Sequence, residues 1–226
     1  MGDCGRLIVF EGPEGAGKTT QLERLAGWLV VRGVPCATVR EPGTSPVGQE
    51  IRRLVLDPSY EVTARAEALL FLAARAELVE RELRPRLARG ETVLADRFFL
   101  STYAYQVHGR GLPEREVVAA NGFATGGLVP DLTILLQLSP AVGLERARSR
   151  GAHDRMELEG ADFHQRVAAA FRSFAQPDWR ESHPECGRVA SVAGDRSEDE
   201  VFDDVLAALT SRWPELGLPA GGTRER

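Results

Sequence analysis

The sequence predicts an α/β fold in which a five-stranded parallel sheet carries helices on both faces. Short apolar segments with strand character alternate along the chain with longer segments whose apolar residues recur at helical spacing. Gly and Pro fall between the two kinds of segment, where the chain must turn. A length of 226 residues suits one large domain of this class. We expect residues 1–213 to form it and the Pro- and Gly-rich residues 214–226 to be a disordered tail.

Five apolar segments are predicted as the strands. They span residues 7–10, 35–39, 92–95, 132–138 and 188–192. The segments between them show helical periodicity or helix boundary signals, and they predict helices over residues 20–31, 48–56, 63–87, 100–107, 114–124, 140–149, 161–174 and 198–213. Residues 151–160 are polar and charged, so we expect a mobile lid over about 150–160.

A phosphate-binding motif lies between the first strand and the first helix. Residues 12–20, with the sequence GPEGAGKTT, have two glycines five apart followed by Lys and Thr. A strand, a glycine turn and a helix N-terminus aim backbone N–H groups and the helix dipole at one point, which suits a polyphosphate. The motif therefore predicts a fold of the P-loop NTPase type. The phosphate-binding residues are predicted to be Gly12, Glu14, Gly15, Ala16, Gly17, Lys18, Thr19 and Thr20.

Single residues around this phosphate loop indicate catalysis with a metal ion. Lys18 is the one lysine among 28 basic residues, and a compact ammonium suits the β- and γ-phosphates. The hydroxyl of Thr19 is a predicted Mg²⁺ ligand. Asp96 follows the third strand, where a carboxylate would hold Mg²⁺ beside the phosphate loop, or would merely cap the next helix. Arg97 is placed to reach a second phosphate group.

Composition excludes several classes of function. A net charge of −5 argues against general nucleic-acid binding. No apolar stretch approaches the roughly 20 residues that a membrane span needs. Three widely spaced cysteines without metal-binding spacing indicate free thiols and a cytoplasmic protein. The only asparagine, Asn121, precedes Gly, so the Asn-Lys-x-Asp guanine reader of a regulatory GTPase is missing.

A small P-loop transferase with a second, acceptor site remains. Phosphoryl transfer depends on positioning and on positive charge near the transferred group. Four arginines lie in or just before the predicted lid, where they would supply that charge or would form a solvated face. They are Arg146, Arg148, Arg150 and Arg155.

The order and spacing of further motifs resemble the bacterial thymidylate kinases over residues 7–213. Besides the phosphate loop, the resemblance rests on Arg-Glu-Pro-Gly at 40–43, Leu-Phe-Leu-Ala-Ala-Arg at 70–75 and Asp-Arg-Phe at 96–98. It continues with Ser-Thr-Tyr-Ala-Tyr-Gln at 101–106, Pro-Asp-Leu-Thr at 130–133 and Arg-Ala-Arg-Ser-Arg-Gly at 146–151.

The resemblance implies that the γ-phosphoryl group of ATP·Mg²⁺ is transferred to dTMP, giving dTDP and ADP. It also implies a homodimer formed through the helix at 63–87. The implied dTMP-binding residues are Glu14, Arg40, Pro42, Phe71, Arg75, Arg97, Ser101, Thr102, Tyr105 and Gln106.

Individual roles follow from the same resemblance. Phe71 and Arg75 share a helix face, where the ring would stack on the base and the guanidinium would donate to thymine O4. Ser101 or Thr102 would bond the thymine edge. Tyr105 would pack against the 2′ carbon, while Glu14 would accept from the 3′-OH. Arg40 and Arg97 would hold the acceptor phosphate.

The phosphate loop has no basic residue between Gly12 and Gly17. The resemblance then implies that a lid arginine, Arg150 or Arg155, reaches the transferred phosphoryl group. Arg146 and Arg150 are implied on the adenine side. Two alternatives remain open at this point: a P-loop kinase for another nucleotide or a deoxynucleoside, and a regulatory protein that binds ATP without turnover.

Overall fold

A computed structural model describes residues 5–139, 142–143, 146 and 154–217. Five parallel strands form one sheet in the order β2-β3-β1-β4-β5, which confirms the predicted sheet. The strands are β1 Arg6–Glu11, β2 Cys36–Arg40, β3 Thr92–Asp96, β4 Leu132–Gln137 and β5 Val189–Ala193.

Eight described α-helices, besides the short α-helical segment Arg84–Ala88, lie around this sheet. They are α1 Lys18–Val31, α2 Pro46–Leu56, α3 Ala64–Leu78, α4 Phe99–Thr102, α5 Glu114–Thr125, α6 Ala161–Ser173, α7 Pro177–Ser182 and α8 Glu198–Arg212. A π-helical turn, Val79–Leu83, links α3 to a short α-helical end, Arg84–Ala88, and α4 continues into the π-helix Tyr103–Gly109. None of the helices in the described ranges is both long and apolar enough to cross a membrane.

The position of β1 in the sheet determines where the motifs meet. β1 lies between β3 and β4, and Phe10 is in register with both Asp96 and Ile134. The strand order reverses at β1, and ligands of open α/β sheets bind at such a switch point, beyond the carboxyl ends of the strands. The phosphate loop leaves β1 at this edge and Asp96 ends β3 beside it, so the sheet brings the two motifs together.

The core forms on both faces of the sheet because residues alternate along the strands. Leu7 and Val9 of β1 pack on one side, in a cluster with residues of α3, α4 and α6. Ile8 and Phe10 pack on the other, against α1 and α8. The strands that flank the switch point are thereby buried on both faces, as parallel strands are.

Some predicted elements differ from the structure for local reasons. The predicted helix 63–87 is interrupted by the π-helical turn before Pro85, whose ring and missing N–H disturb regular helical bonding. The short helix α7 was not predicted. Pro214–Gly217 forms a 3₁₀ turn with Leu216 buried, so disorder from residue 214 is wrong for these four residues. Residues 218–226 and most of the predicted helix 140–149 lie outside the described part of the chain.

The loop between β2 and α2 is closed by local hydrogen bonds. Ser45 is the N-cap of α2 and accepts from the backbone N–H of Gly48, while Pro46 occupies the first helical position. Thr44 bonds both backbone groups of Arg40, at 2.7 and 3.0 Å. These contacts fix the Arg-Glu-Pro-Gly segment at the sheet edge next to the phosphate loop.

Candidate active site

The phosphate loop adopts a backbone that glycine alone fits at two positions. Gly12 and Gly15 have φ values of 141° and 75°. A Cβ atom on Gly12 would lie 2.4 Å from the carbonyl oxygen of Leu136, and one on Gly15 would lie 2.6 Å from that of Gly143. The loop is therefore packed against the end of β4 and the segment after it, with its concave side left for a ligand.

Lys18 is the cation of this loop. Its ammonium is buried and donates to the carbonyl oxygens of Gly12 at 3.0 Å and Pro13 at 2.8 Å. Burial and the nearby charge of Arg97 lower the pKa of Lys18 from 10.5 to about 7. An anion in the loop would raise this pKa again, because a negative charge nearby favours the charged form of Lys18.

Thr19 and Asp96 meet as the motifs predicted. The Thr19 hydroxyl donates to Asp96 Oδ2 at 2.8 Å, and Asp96 is buried at the end of β3. These are hard oxygen ligands beside the phosphate loop, the donors that Mg²⁺ prefers. The described residues contain no group of three or more His, Cys, Asp or Glu side chains able to hold a metal by themselves. A metal here would need ligand oxygens from phosphate and water as well.

A cavity of about 250 Å³ opens next to the phosphate loop, and we call it the acceptor cavity. All ten residues predicted to bind dTMP line it, together with Lys18, Thr19 and Asp96. The sequence motifs, spread over more than 90 residues, thus converge on one space. The lining residues that the motifs did not predict include Arg52, Leu56, Asp154, Met156 and Glu157.

Arg75 is the centre of a buried hydrogen-bond network at the cavity wall. Its guanidinium donates to Glu41 at 2.6 Å, to the Asn121 side chain at 2.5 Å and to the Phe98 carbonyl at 2.7 Å. Burial raises the pKa of Glu41 to about 7, although Arg75 acts in the opposite direction. Three of the five Arg75 N–H groups are therefore used within the protein, and two remain for a ligand.

Arg97 is held in an unusual backbone conformation directly after β3. Its φ is 75°, a left-handed value that non-glycine residues rarely adopt and that clusters at functional sites. The guanidinium donates to Ser101 Oγ at 2.9 Å and lies 5.3 Å from the centre of the Tyr105 ring. Glu11, which the sequence did not single out, accepts from Phe98 N at 2.7 Å and Ser101 Oγ at 2.6 Å and so fixes this turn.

A second cavity, of about 340 Å³, lies on the other side of the phosphate loop. Arg146, which was predicted on the adenine side, lines it and donates to the Gly194 carbonyl at 3.1 Å. Gly194 and Arg196, between β5 and α8, and Glu198, the first residue of α8, also line it. The other predicted adenine-side residue, Arg150, lies outside the described residues.

Arg155 is not where the lid prediction put it. Its guanidinium donates to Glu67 Oε2 at 2.6 Å and to the Val55 carbonyl at 2.8 Å, and its backbone N–H bonds the Leu56 carbonyl. These partners lie at the end of α2 and the start of α3, on the acceptor side. In this structure Arg155 is an ion-pair residue on the acceptor side, and the contact of Arg150 or Arg155 with the transferred phosphoryl group stays a prediction.

Glu67, like Glu11, is a buried charged residue that the sequence analysis did not single out. It precedes Phe71 and Arg75 by one and two helical turns, so the three residues share one face of α3. That spacing is the signal that could have found it, because a Glu on a face with an aromatic residue and an Arg is placed to be buried and paired. Arg52 of α2 had no such signal.

Comparisons with known proteins agree with this arrangement. A family model described as thymidylate kinase matches residues 10–181. Over 208 residues the chain is 46% identical to the thymidylate kinase of Deinococcus radiodurans, covering 92% of this chain and 98% of that protein. Over 205 residues it is 42% identical to the thymidylate kinase of Carboxydothermus hydrogenoformans, covering 91% and 97%. A thymidylate kinase of Pseudomonas savastanoi is 42% identical over 213 residues, covering 94% and 96%.

Proposed function

Because this chain belongs to the thymidylate kinase family, we propose that it transfers the γ-phosphoryl group of ATP to dTMP, giving dTDP and ADP. The observation that carries the proposal is the acceptor cavity. It contains an aromatic ring and an arginine for a base, further arginines for a phosphate, and the lysine of the phosphate loop. The two substrates would therefore meet at Lys18.

On the donor side, the backbone N–H groups of the phosphate loop would bind the phosphates of ATP. Lys18 would pair with the β- and γ-phosphates, and the base would extend into the second cavity beside Arg146. Since Arg155 pairs with Glu67, we assign the lid arginine at the transferred group to Arg150, which lies outside the described residues.

Thr19 and Asp96 fit a Mg²⁺ ion. The Thr19 hydroxyl can go on donating its hydrogen bond to Asp96 while a lone pair of its oxygen faces the metal. Asp96 would hold the ion directly or through water. A bound Mg²⁺ would neutralise charge on the phosphates of ATP during transfer.

On the acceptor side, Phe71 would stack on thymine and the two remaining N–H groups of Arg75 would donate to its O4. Tyr105, which bonds Glu14 at 3.4 Å, would contact the deoxyribose. Arg40 and Arg97 would hold the monophosphate. We add Arg52 to this group, because it lines the same cavity and its guanidinium donates to the Pro42 carbonyl at 3.1 Å.

The chemistry needs no covalent enzyme intermediate. An oxygen of the dTMP phosphate attacks the γ-phosphorus of ATP, and the bond from that phosphorus to the bridging oxygen breaks with its electron pair leaving on ADP. Two anions must approach in line, so the main tasks of the protein are positioning and charge compensation. Lys18 and the arginines of the acceptor cavity supply that compensation.

A coupled ADP-release assay with a panel of acceptors tests the proposal. We expect dTMP to be the best substrate among dTMP, dUMP, dCMP, dGMP and thymidine, with ATP and Mg²⁺ present. If thymidine or another monophosphate had a higher kcat/KM than dTMP, that compound would be the acceptor instead of dTMP. Measurable ATP binding without ADP production from any acceptor would instead indicate a nucleotide-binding regulatory protein.

We further propose a cytoplasmic homodimer in which the outer surfaces of α3 and α5 form the interface. Leu69 of α3 is 63% exposed, and Phe123 of α5 is 92% exposed. The two helices pack against each other, and we assign both apolar side chains to this interface. The two described cysteines, Cys36 and Cys186, are free thiols, which supports a reducing compartment.

Light scattering of Phe123→Glu tests the interface. We expect the wild-type chain to have the mass of a dimer and the variant to have that of a monomer, because a charge in an apolar interface is left unpaired. Val31→Glu, which changes an exposed residue at the end of α1, is the matched control and should stay dimeric. A wild-type monomer, or a dimeric Phe123→Glu, would exclude this interface.

A further inference from the structure

A buried carboxylate, Glu67, lies behind the acceptor cavity and binds four donors. Its side chain is 0% exposed. Oε1 accepts from Gln106 Nε2 at 3.1 Å and from Arg110 Nε at 3.0 Å. Oε2 accepts from the Nη2 atoms of Arg110 at 2.8 Å and Arg155 at 2.6 Å. The guanidinium groups of Arg110 and Arg155 compensate the charge of Glu67. The remaining bond of the carboxylate, to Gln106, is the one that reaches the cavity wall.

Glu67 stays ionised at neutral pH. Burial alone would raise its pKa, but the hydrogen bonds from Arg110 and Arg155 bring the pKa below the usual value of 4.5. An ionised carboxylate can only accept hydrogen bonds. The amide of Gln106 must therefore turn its NH₂ group toward Glu67.

That orientation determines what Gln106 offers to a ligand. Gln106 is 2% exposed and lines the acceptor cavity with Phe71 and Thr102. One N–H of its NH₂ group donates to Glu67, and among the described residues we find no donor to its carbonyl oxygen Oε1. That carbonyl oxygen is left as a hydrogen-bond acceptor, and it requires a donor on the base.

We infer that Glu67 is a positioning residue that holds the Gln106 amide with its carbonyl toward the base, so that the site selects pyrimidines with an N–H donor at ring position 3. Thymine and uracil have this donor, whereas cytosine has an acceptor there. The inference rests on the proposed function, because it assigns base selection within the same acceptor site. Arg155 and Arg110 act with Glu67 by keeping it charged.

Glu67→Gln tests this inference because it replaces one carboxylate oxygen with an NH₂ group of nearly the same size. The remaining oxygen is expected to stay with the Nη2 atoms of Arg110 and Arg155. The new NH₂ group then lies against Gln106, and the bond from Arg110 Nε is lost. The Gln106 amide would then turn over and present its NH₂ group to the base. With dTMP bound, the NH₂ group of Gln106 and the N3–H group of thymine would then face each other, and both are hydrogen-bond donors.

The expected result is a change in selectivity rather than a general loss of activity. The ratio of kcat/KM for dTMP to that for dCMP should fall roughly ten- to a hundredfold, the range expected when a matched hydrogen bond becomes an unpaired polar contact. The KM for dTMP should rise more than kcat falls, and the KM for ATP should stay unchanged.

Glu159→Gln is the matched control. It makes the same chemical change in the same network, since Glu159 pairs with Arg110 at 2.6 Å, but it leaves the bond between Glu67 and Gln106 in place. Its selectivity ratio should stay within about twofold of wild type. An unchanged ratio in a folded Glu67→Gln, or an equal loss in both variants, would overturn the inference.

A wild-type crystal structure with dTMP tests the same inference without depending on how well a variant folds. Thymine N3 is expected within hydrogen-bond distance of Gln106 while Glu67 keeps its contact with Gln106. A structure in which N3 is bound by another residue would overturn the inference. Failure of the proposed function is distinguishable, because the wild-type enzyme would then not phosphorylate dTMP at all.

Discussion

Replacing Lys18 with Met is expected to lower kcat/KM for phosphoryl transfer to dTMP by about a thousandfold or more, with the fold intact. The buried ammonium is the cation of the phosphate loop, and its only described hydrogen-bond partners are the loop carbonyls of Gly12 and Pro13. Met has a similar length and no charge, so it fits the same buried space. Steady-state kinetics would measure the loss, and a thermal melt at neutral pH should show no destabilisation, because a costly buried charge is removed.

Arg24→Met is the control for this substitution. Arg24 lies on the same helix, α1, in a partly exposed pair with Asp199, and its loss should change kcat/KM by less than about twofold. Wild-type turnover by Lys18→Met would refute the role of the ammonium.

The lowered pKa of Lys18 adds a second measurement to the same prediction. In the unliganded protein the pKa is about 7, so at pH 8 most of Lys18 is neutral. Phosphate charge in the loop would raise this pKa, and binding of ATP at pH 8 should therefore take up close to one proton. Calorimetry in buffers of different ionisation enthalpy measures this uptake. It should disappear in Lys18→Met, and the same uptake in that variant would assign the proton to another group.

Replacing Arg75 with Met is expected to destabilise the protein by about 3–5 kcal/mol at pH 8, because Glu41 is left as an unpaired buried carboxylate. Arg75 and Glu41 are each nearly fully buried and lie 2.6 Å apart. The kcat/KM for dTMP should fall as well, since Arg75 lines the acceptor cavity. Urea unfolding at several pH values measures the stability loss.

The pH dependence of this loss has a definite sign. The folded-state pKa of Glu41, about 7, is above its unfolded value near 4.5. Its contribution to stability is therefore complete below about pH 4.5 and is lost as the pH rises through about 7. Without Arg75 the folded-state pKa of Glu41 rises further, so Arg75→Met should lose more stability at pH 8 than at pH 5.5. An equal loss at both values would show that the unpaired charge is not the cause.

Two further variants separate charge from packing. Adding Glu41→Gln to Arg75→Met should recover part of the stability at pH 8, because the buried charge is gone. Arg81→Met removes an exposed pair with Glu77 further along the same helical segment and should cost less than about 1 kcal/mol. If the double variant were no more stable than Arg75→Met at pH 8, the charge of Glu41 would not be the cause of the stability loss.

The site was predictable where a motif fixes both the residue and its local backbone. The glycines of the phosphate loop require positive φ values, and Asp96 ends a strand next to β1, so short-range signals were enough to place Lys18, Thr19 and Asp96 together. The residues predicted to bind dTMP also line one cavity, and they were predicted because their motifs occur in a known order. Glu11 was missed because it precedes the phosphate-loop motif, and Arg52 was missed because it lies in none of the motifs.

The partners of charged residues that are distant along the chain could not be predicted from the sequence. Arg155 lies in a polar, arginine-containing stretch and was expected at the transferred phosphoryl group, yet it pairs with Glu67, 88 residues away. Arg75 pairs with Glu41, 34 residues away, and with Asn121, 46 residues away. Each guanidinium could find several acceptors, and the spacing of residues along the chain does not distinguish among them.

By itself, then, the sequence determined the strands, most of the helices and the phosphate loop, while the kind of substrate was implied by its resemblance to a known family. These depend on backbone conformation, apolar periodicity and motifs that act over a few residues. The tertiary structure alone decided which buried charges pair, and hence that Arg155 serves Glu67. The physical reason is that a buried charge must find its partner among the groups that packing brings near it, and packing joins elements that are far apart in the chain.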